Sequence, residues 1–172
     1  MQSAHVMRRY LLLAALGVFL LDQATKWLIL RNIPLHESVP VIPGLFQLTH
    51  VQNRGAAFGL FSDSPSQWAT STLILFSLIA LAVVWRLLWK NSHALTATGI
   101  ALALVLGGAL GNLWDRLVDG HVVDYLDVYV GTYHWPAFNV ADSAIVIGAV
   151  ILVGHILFSK GHIEGKPVAG RS

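Results

Sequence analysis

The chain contains no cysteine. Disulfides, thiolate metal sites, cysteine nucleophiles and a lipidated cysteine of its own are therefore excluded, and the redox state of its compartment leaves no mark on it. Charge is scarce as well: 12% of the 172 residues are Asp, Glu, Lys or Arg, against 55% hydrophobic. With a mean hydropathy of +0.64, the chain is too apolar for an ordinary soluble domain, and bilayer lipid is its expected solvent. A net charge of +2 and a pI near 9.2 would suit nucleic acid only if the basic residues clustered. The eleven Lys and Arg are scattered, so no nucleic-acid partner is expected. Paired metal-ligand spacing is also missing. His121 and Asp124 stand three apart and can chelate an ion if helical, with His134, His36 or His50 as further ligands, but no set has convincing spacing. No metal and no cofactor are expected.

What is present is apolar length. A helix needs about 20 largely apolar residues to cross the hydrocarbon core, and residues 10–30, 68–89, 95–114 and 140–158 come close to that. The first stretch follows Arg8 and Arg9 like an export signal. Its apolar run, however, continues past Asp22 and Lys26 for another turn with no small-x-small cleavage site behind it, so it reads as a retained span. Lys and Arg in short flanks stay on the cytoplasmic side. Seven basic residues (Arg8, Arg9, Arg86, Lys90, Lys160, Lys166, Arg171) flank one side, while Arg31, Arg54 and Arg116 flank the other. Both termini are expected in the cytoplasm, and nearly all the acids fall on or near the outer side. The whole chain, residues 1–172, is expected to form a single membrane domain, with outer loops 31–67 and 115–139 and a cytoplasmic tail 159–172.

The outer loops carry the irregular sequence. Residues 39–52 hold Pro40, Pro43 and Gly44 before a Leu-Phe-Gln-Leu-Thr-His-Val run, and residues 125–135 alternate between Tyr125, Asp127, Tyr129 and Leu126, Val128, Val130. Both read as short strands that can form a small outer sheet. Residues 55–61, apolar and bounded by Pro65, read as an interfacial helical turn. The expected class is an all-α polytopic membrane protein: four transmembrane helices, a small extracytoplasmic β-sheet and a short interfacial helix.

An ionisable side chain in a span costs roughly 2.5–3.5 kcal/mol on insertion scales and asks for an explanation. Asp22 and Lys26 lie four apart, acid first, the favourable order for a helical ion pair. In span three Gly108, Asn112, Asp115, Arg116 and Asp119 share one stripe beside the Gly107-x-x-x-Gly111 spacing that admits a neighbouring backbone. The stripe reads either as the wall of a site or as structural glue pairing Arg116 with Asp115 or Asp119. Asn139 and Asp142 suit an ordinary helix start, as N-cap and first-turn acid. Asp124, between Val123 and Tyr125, is either a loop acid or a poorly solvated carboxyl with a raised pKa.

Taken in order, Asp22-Gln23 with Lys26, Asn53-Arg54-Gly55-Ala56-Ala57-Phe58, Gly107 to Asn112 with Asp115-Arg116, Val122-Val123-Asp124 and Asn139-Val140-Ala141-Asp142-Ser143 resemble the motifs of lipoprotein signal peptidase (signal peptidase II). That resemblance implies an aspartyl endopeptidase of the bacterial inner membrane that removes the signal peptide from diacylglyceryl-modified prolipoproteins, cutting before the lipidated cysteine. It implies a catalytic pair at Asp124 and Asp142, with Asp22, Lys26, Asn53, Gly55, Gly108, Asn112, Asp115, Arg116, Asn139 and Ala141 lining or supporting the site. It also implies an active site facing outward, membrane lipid as neighbour, and inhibitors such as globomycin. The alternative is a small transporter or proton relay using Asp22, Asp124 and Asp142. Such a relay calls for acids spread through the membrane depth, whereas these gather at one side.

Overall fold

The computed structural model describes residues 2–55, 67–92 and 94–159. In chain order the elements are α1 (Gln2–Asn32), β1 (Ser38–Ile42), β2 (Phe46–Asn53), α2 (Gln67–Asn91), α3 (Ala97–Val118), β3 (Val122–Val130), β4 (Tyr133–His134) and α4 (Val140–Ser159). Apart from Gly55, the turn expected over residues 55–61 lies outside the described residues, as does the tail from residue 160.

Each helix holds a stretch long and apolar enough to cross a membrane: His5–Asn32, Thr70–Asn91, Ala97–Val118 and Val140–Phe158. Their outward faces match that solvent, with Leu13, Leu16 and Leu20, then Phe76, Ile79 and Val83, then Val146, Val150 and Val153 all exposed. In water such faces would aggregate; against acyl chains they are ordinary.

Helix α3 packs against the other three helices and is the centre of the bundle. Its glycines explain how closely. A Cβ on Gly107 would run into the Ala15 carbonyl oxygen of α1, and one on Gly108 into the Ala141 carbonyl oxygen of α4. Gly148 of α4 returns the arrangement, since a Cβ there would lie 2.6 Å from the Ala101 carbonyl oxygen of α3. Small residues thus bring the backbones of α1 and α4 against α3 where lipid supplies no hydrophobic drive. Away from the sheet, Leu11, Ala15, Leu81, Leu88, Leu102 and Leu106 fill the core.

The strands form one antiparallel sheet in the order β1-β2-β3-β4. One hairpin lies between α1 and α2 and the other between α3 and α4, so their pairing puts both connections at the same end of the bundle. At the opposite end Arg8 donates to Ser92 at 2.9 Å and lies 3.5 Å over the Trp89 ring, tying the start of α1 to the α2–α3 turn. The sheet sits on α1 through Ile29, Ile33, Val123 and Tyr125, and the Tyr125 hydroxyl donates to Thr25 at 2.7 Å. A bulge between Leu48 and Val51 resets the β2–β3 register so that Val51 faces Asp124. After α3, the chain leaves through Gly120 at φ +73, the left-handed step that closes many helices and here aims β3 back across the bundle.

Candidate active site

At the sheet end, α1, α3 and α4 bring together side chains that lipid would reject singly. The start of α4 supplies the first of them. Val140 opens the helix after Asn139, whose Oδ1 accepts from the Asp142 N–H at 2.9 Å, while the Asp142 carboxylate accepts from the Asn139 N–H at 3.2 Å. This is a reciprocal capping box with Asp in the acid position. The Ala141 N–H, another donor without a helical partner, is taken by Asp22 Oδ1 of α1 at 2.9 Å. Asp22 is fully buried. The helix start and the α1 acid therefore satisfy each other.

The other oxygen of Asp22 accepts from Lys26 at 2.8 Å, the ion pair that their spacing predicts. Lys26 reaches further than the sequence suggests. It pairs with Asp115 at 2.6 Å and donates to Asn112 Oδ1 at 3.1 Å. Gln23, whose part went unread in the sequence, donates to Asp115 at 2.8 Å and to Asp22 at 3.2 Å. Of the two readings of the stripe, the glue between Arg116 and Asp115 or Asp119 does not form: Asp115 turns to Lys26, and Asp119 lies exposed as the C-cap of α3. Arg116 instead donates to the carbonyls of Asn112 at 3.2 Å and Gly55 at 3.3 Å, and its buried Nε has no partner among the described residues. It thus ties α3 to the end of the β2 connection with a donor to spare, within electrostatic reach of Asp142 and Asp124.

Lys26 has only donors, so the Asn112 oxygen must face it, and the Asn112 amide nitrogen is left to face Asp142, to which it donates at 2.8 Å. The same reasoning fixes Asn139. Its oxygen takes the Asp142 N–H, so its nitrogen points at Asp124 Oδ1 at 2.8 Å, with Asn112 Oδ1 and the Val123 carbonyl at 3.3 Å. Asn53 donates to Asp124 Oδ2 at 2.9 Å from the next strand, two residues beyond the Val51 that faces it, on the same side of the sheet. The Asn53 oxygen accepts from the Gly55 N–H at 2.9 Å, which fixes that amide too.

Asp124 and Asp142 are thus held by one set of amides. Asp124 is 3% exposed and Asp142 is partly exposed. Burial pushes the Asp124 carboxyl up from 3.8 to about 7; the Asp142 charge adds to this, while the Asn53 and Asn139 bonds and the Lys26 charge pull against it. The raised pKa of the poorly solvated carboxyl is the reading the site supports over that of a plain loop acid. His121 Nδ1 meets the Asp119 carbonyl at 2.8 Å. Gly108 and Ala141 meet where α3 touches α4, so they set the helix spacing behind the pair.

A solved bacterial membrane enzyme, determined in meso at 2.3 Å, has the same fold with a TM-score of 0.81, at 30% identity over 93% of this chain and 94% of its own. The lipoprotein signal peptidase of Desulforapulum autotrophicum is 50% identical over 83% of this chain and 88% of its own length, and that of Geobacter sulfurreducens 52% identical over 80% and 84%. The family model for signal peptidase (SPase) II matches residues 14–158. The chain belongs to the signal peptidase II family.

Proposed function

We propose that this chain is the endopeptidase that removes the signal peptide from diacylglyceryl-modified prolipoproteins, cutting before the lipidated cysteine, with Asp124 and Asp142 as its acid–base pair. The observation that carries the reading is the convergence of these two aspartates, one from the sheet and one from a helix start, on the amides of Asn112 and Asn139. Neighbouring carboxyls in a desolvated site resist double ionisation and share one proton. The ionised member takes a proton from water while the protonated member polarises the scissile carbonyl. Water attack gives a tetrahedral diol; proton return to the leaving nitrogen breaks the amide bond. The raised pKa of Asp124 favours it as the proton carrier near neutral pH.

The remaining residues have structural tasks around that pair. Asn53, Asn112 and Asn139 orient the carboxyls; Asp22, Lys26, Asp115 and Gln23 hold α1, α3 and α4 in place; Arg116 anchors Gly55, with its Nε unpartnered among the described residues. Because the site lies at the ends of spans, a helical signal peptide and the acyl chains of the cysteine that follows it enter sideways from lipid. The chain sits in the bacterial inner membrane with both termini cytoplasmic and the sheet outside. Globomycin, which the family brings with it, competes for this site.

The test is cleavage by the purified, reconstituted protein of one prolipoprotein with and without its diacylglyceryl group. Each buried methylene contributes roughly 0.8 kcal/mol to anchoring, so the lipidated form is cut far faster. Equal rates would remove the lipid from the reading.

A further inference from the structure

A cleft of about 290 Å³ opens between Gln52, Asn53 and Arg54 on one side and Pro136 and Ala137 on the other, with Asp124 in its wall. Its lining residues Val51, Asn53 and Asp124 share one side of the sheet, opposite Val123 and Tyr125, which pack on α1. Asn112 of α3 and Asn139 before α4 hold the aspartates from the helix side, and a signal peptide arriving through lipid reaches them from there. The polypeptide after the cut is a soluble segment that must run to water from the same two carboxyls. Its volume is near the lower end for ligand pockets, roughly 300–1,000 Å³, which suits a short extended segment.

Two features of the walls describe what fits. Phe138 spends its N–H on Leu126 and its carbonyl on Tyr125 and Leu126, and Pro136 has no N–H. Ala137 between them makes no main-chain hydrogen bond among the described residues, so nothing in that set competes with an extended peptide for its two polar groups. Arg54 is exposed and has no ion-pair partner among the described residues. Its neighbour Gly55 is fixed by Asn53 and Arg116, which holds the backbone beside Arg54, and Arg54 lines the cleft.

We infer that this cleft is the subsite for the substrate segment that follows the lipidated cysteine, and that Arg54 makes it select acidic or neutral side chains over basic ones in that segment. The inference rests on the reading that Asp124 and Asp142 cut prolipoproteins. The experiment uses reconstituted full-length enzyme and three diacylglyceryl prolipoproteins that differ only in the three residues after the cysteine: aspartates, serines or lysines. Acidic over basic kcat/KM is about two- to five-fold in wild type, the range open to an exposed ion pair, and shrinks in high salt. Arg54→Glu reverses the order, Arg54→Lys keeps it, and Gln52→Glu moves it toward the basic substrate. Comparing the ratio within each variant cancels any general loss of activity or folding. Glu37→Lys, which alters charge ahead of β1 and outside the cleft, leaves the ratio in place. A wild-type ratio near one, an unchanged ratio in Arg54→Glu, or an equal shift in Glu37→Lys overturns the subsite. Failure to cut any of the three substrates overturns it together with the peptidase reading beneath it.

Discussion

Burial leaves the Asp124 carboxyl with a pKa of about 7, which has two consequences at the scale of the residue. The proposed pair works with one proton, so kcat/KM falls on the alkaline side near pH 7 as that proton is lost, with an apparent value that belongs to the pair. Asn53 donates to the ionised form and holds the pKa down. Asn53→Ala removes the donor, so the alkaline limb moves to higher pH; a limb that stays or moves down contradicts this. The second consequence is for stability. The folded carboxyl titrates near 7 and the unfolded one near 3.8, so the native state binds the extra proton between them. Native stability therefore declines as pH rises from 4 to 7, by an amount on the order of 4 kcal/mol at most, and is level above. Asp124→Asn has no such proton to lose. Its melting temperature relative to wild type rises across that window, whatever offset arises from placing an amide against the Asn53 and Asn139 donors.

At the scale of elements, α3 is built to be approached. Gly108→Ala puts a methyl group into the Ala141 carbonyl, which moves α4 and Asp142 with it. Overpacking of this kind costs about 1–3 kcal/mol, so both the melting temperature and turnover fall. Gly17, in α1, has nothing within 4 Å of an added Cβ; Gly17→Ala is neutral or slightly stabilising. Melting both variants separates packing from glycine content. The spans were legible because apolar length is a local property. Their ends were less so: α3 runs one turn past residue 114, since Asp115 and Arg116 are helical residues turned inward to partners. The pairing of Asp115 was hidden because its partner stands on α1, and only the packed bundle chooses between Arg116 and Lys26. The start of α4 shows a different limit. Capping and site building looked like rival readings of Asn139 and Asp142, yet one backbone geometry satisfies both, because the carboxylate that caps Asn139 also meets Asn112. Alternation disclosed the strands, but β3 begins three residues before the expected stretch, at Val122, which is how Asp124 comes to lie in a strand.

For the whole molecule, the sheet and the candidate site lie at one end of four spans, and the α2–α3 turn at the other. The proposed orientation puts the sheet outside, since the basic residues flank the opposite end. A chain without cysteine makes this easy to check. A single cysteine at Thr132, exposed in the β3–β4 turn, reacts with an impermeant thiol reagent on intact cells, while one at Ala94, exposed beside the α2–α3 turn, does not; Ser92 is fully buried and would be silent on either side. The reverse pattern would invert the topology. The central claim, that Asp124 and Asp142 act as one acid–base unit, is tested most directly by activity per folded enzyme in Asp124→Asn, Asp142→Asn and the double variant, each beside its melting curve. Each single change abolishes cleavage of the lipidated prolipoprotein, and the double is scarcely worse than either, because members of one catalytic unit are strongly non-additive. Substantial cleavage by either folded single variant, or losses that multiply in the double, would contradict the account.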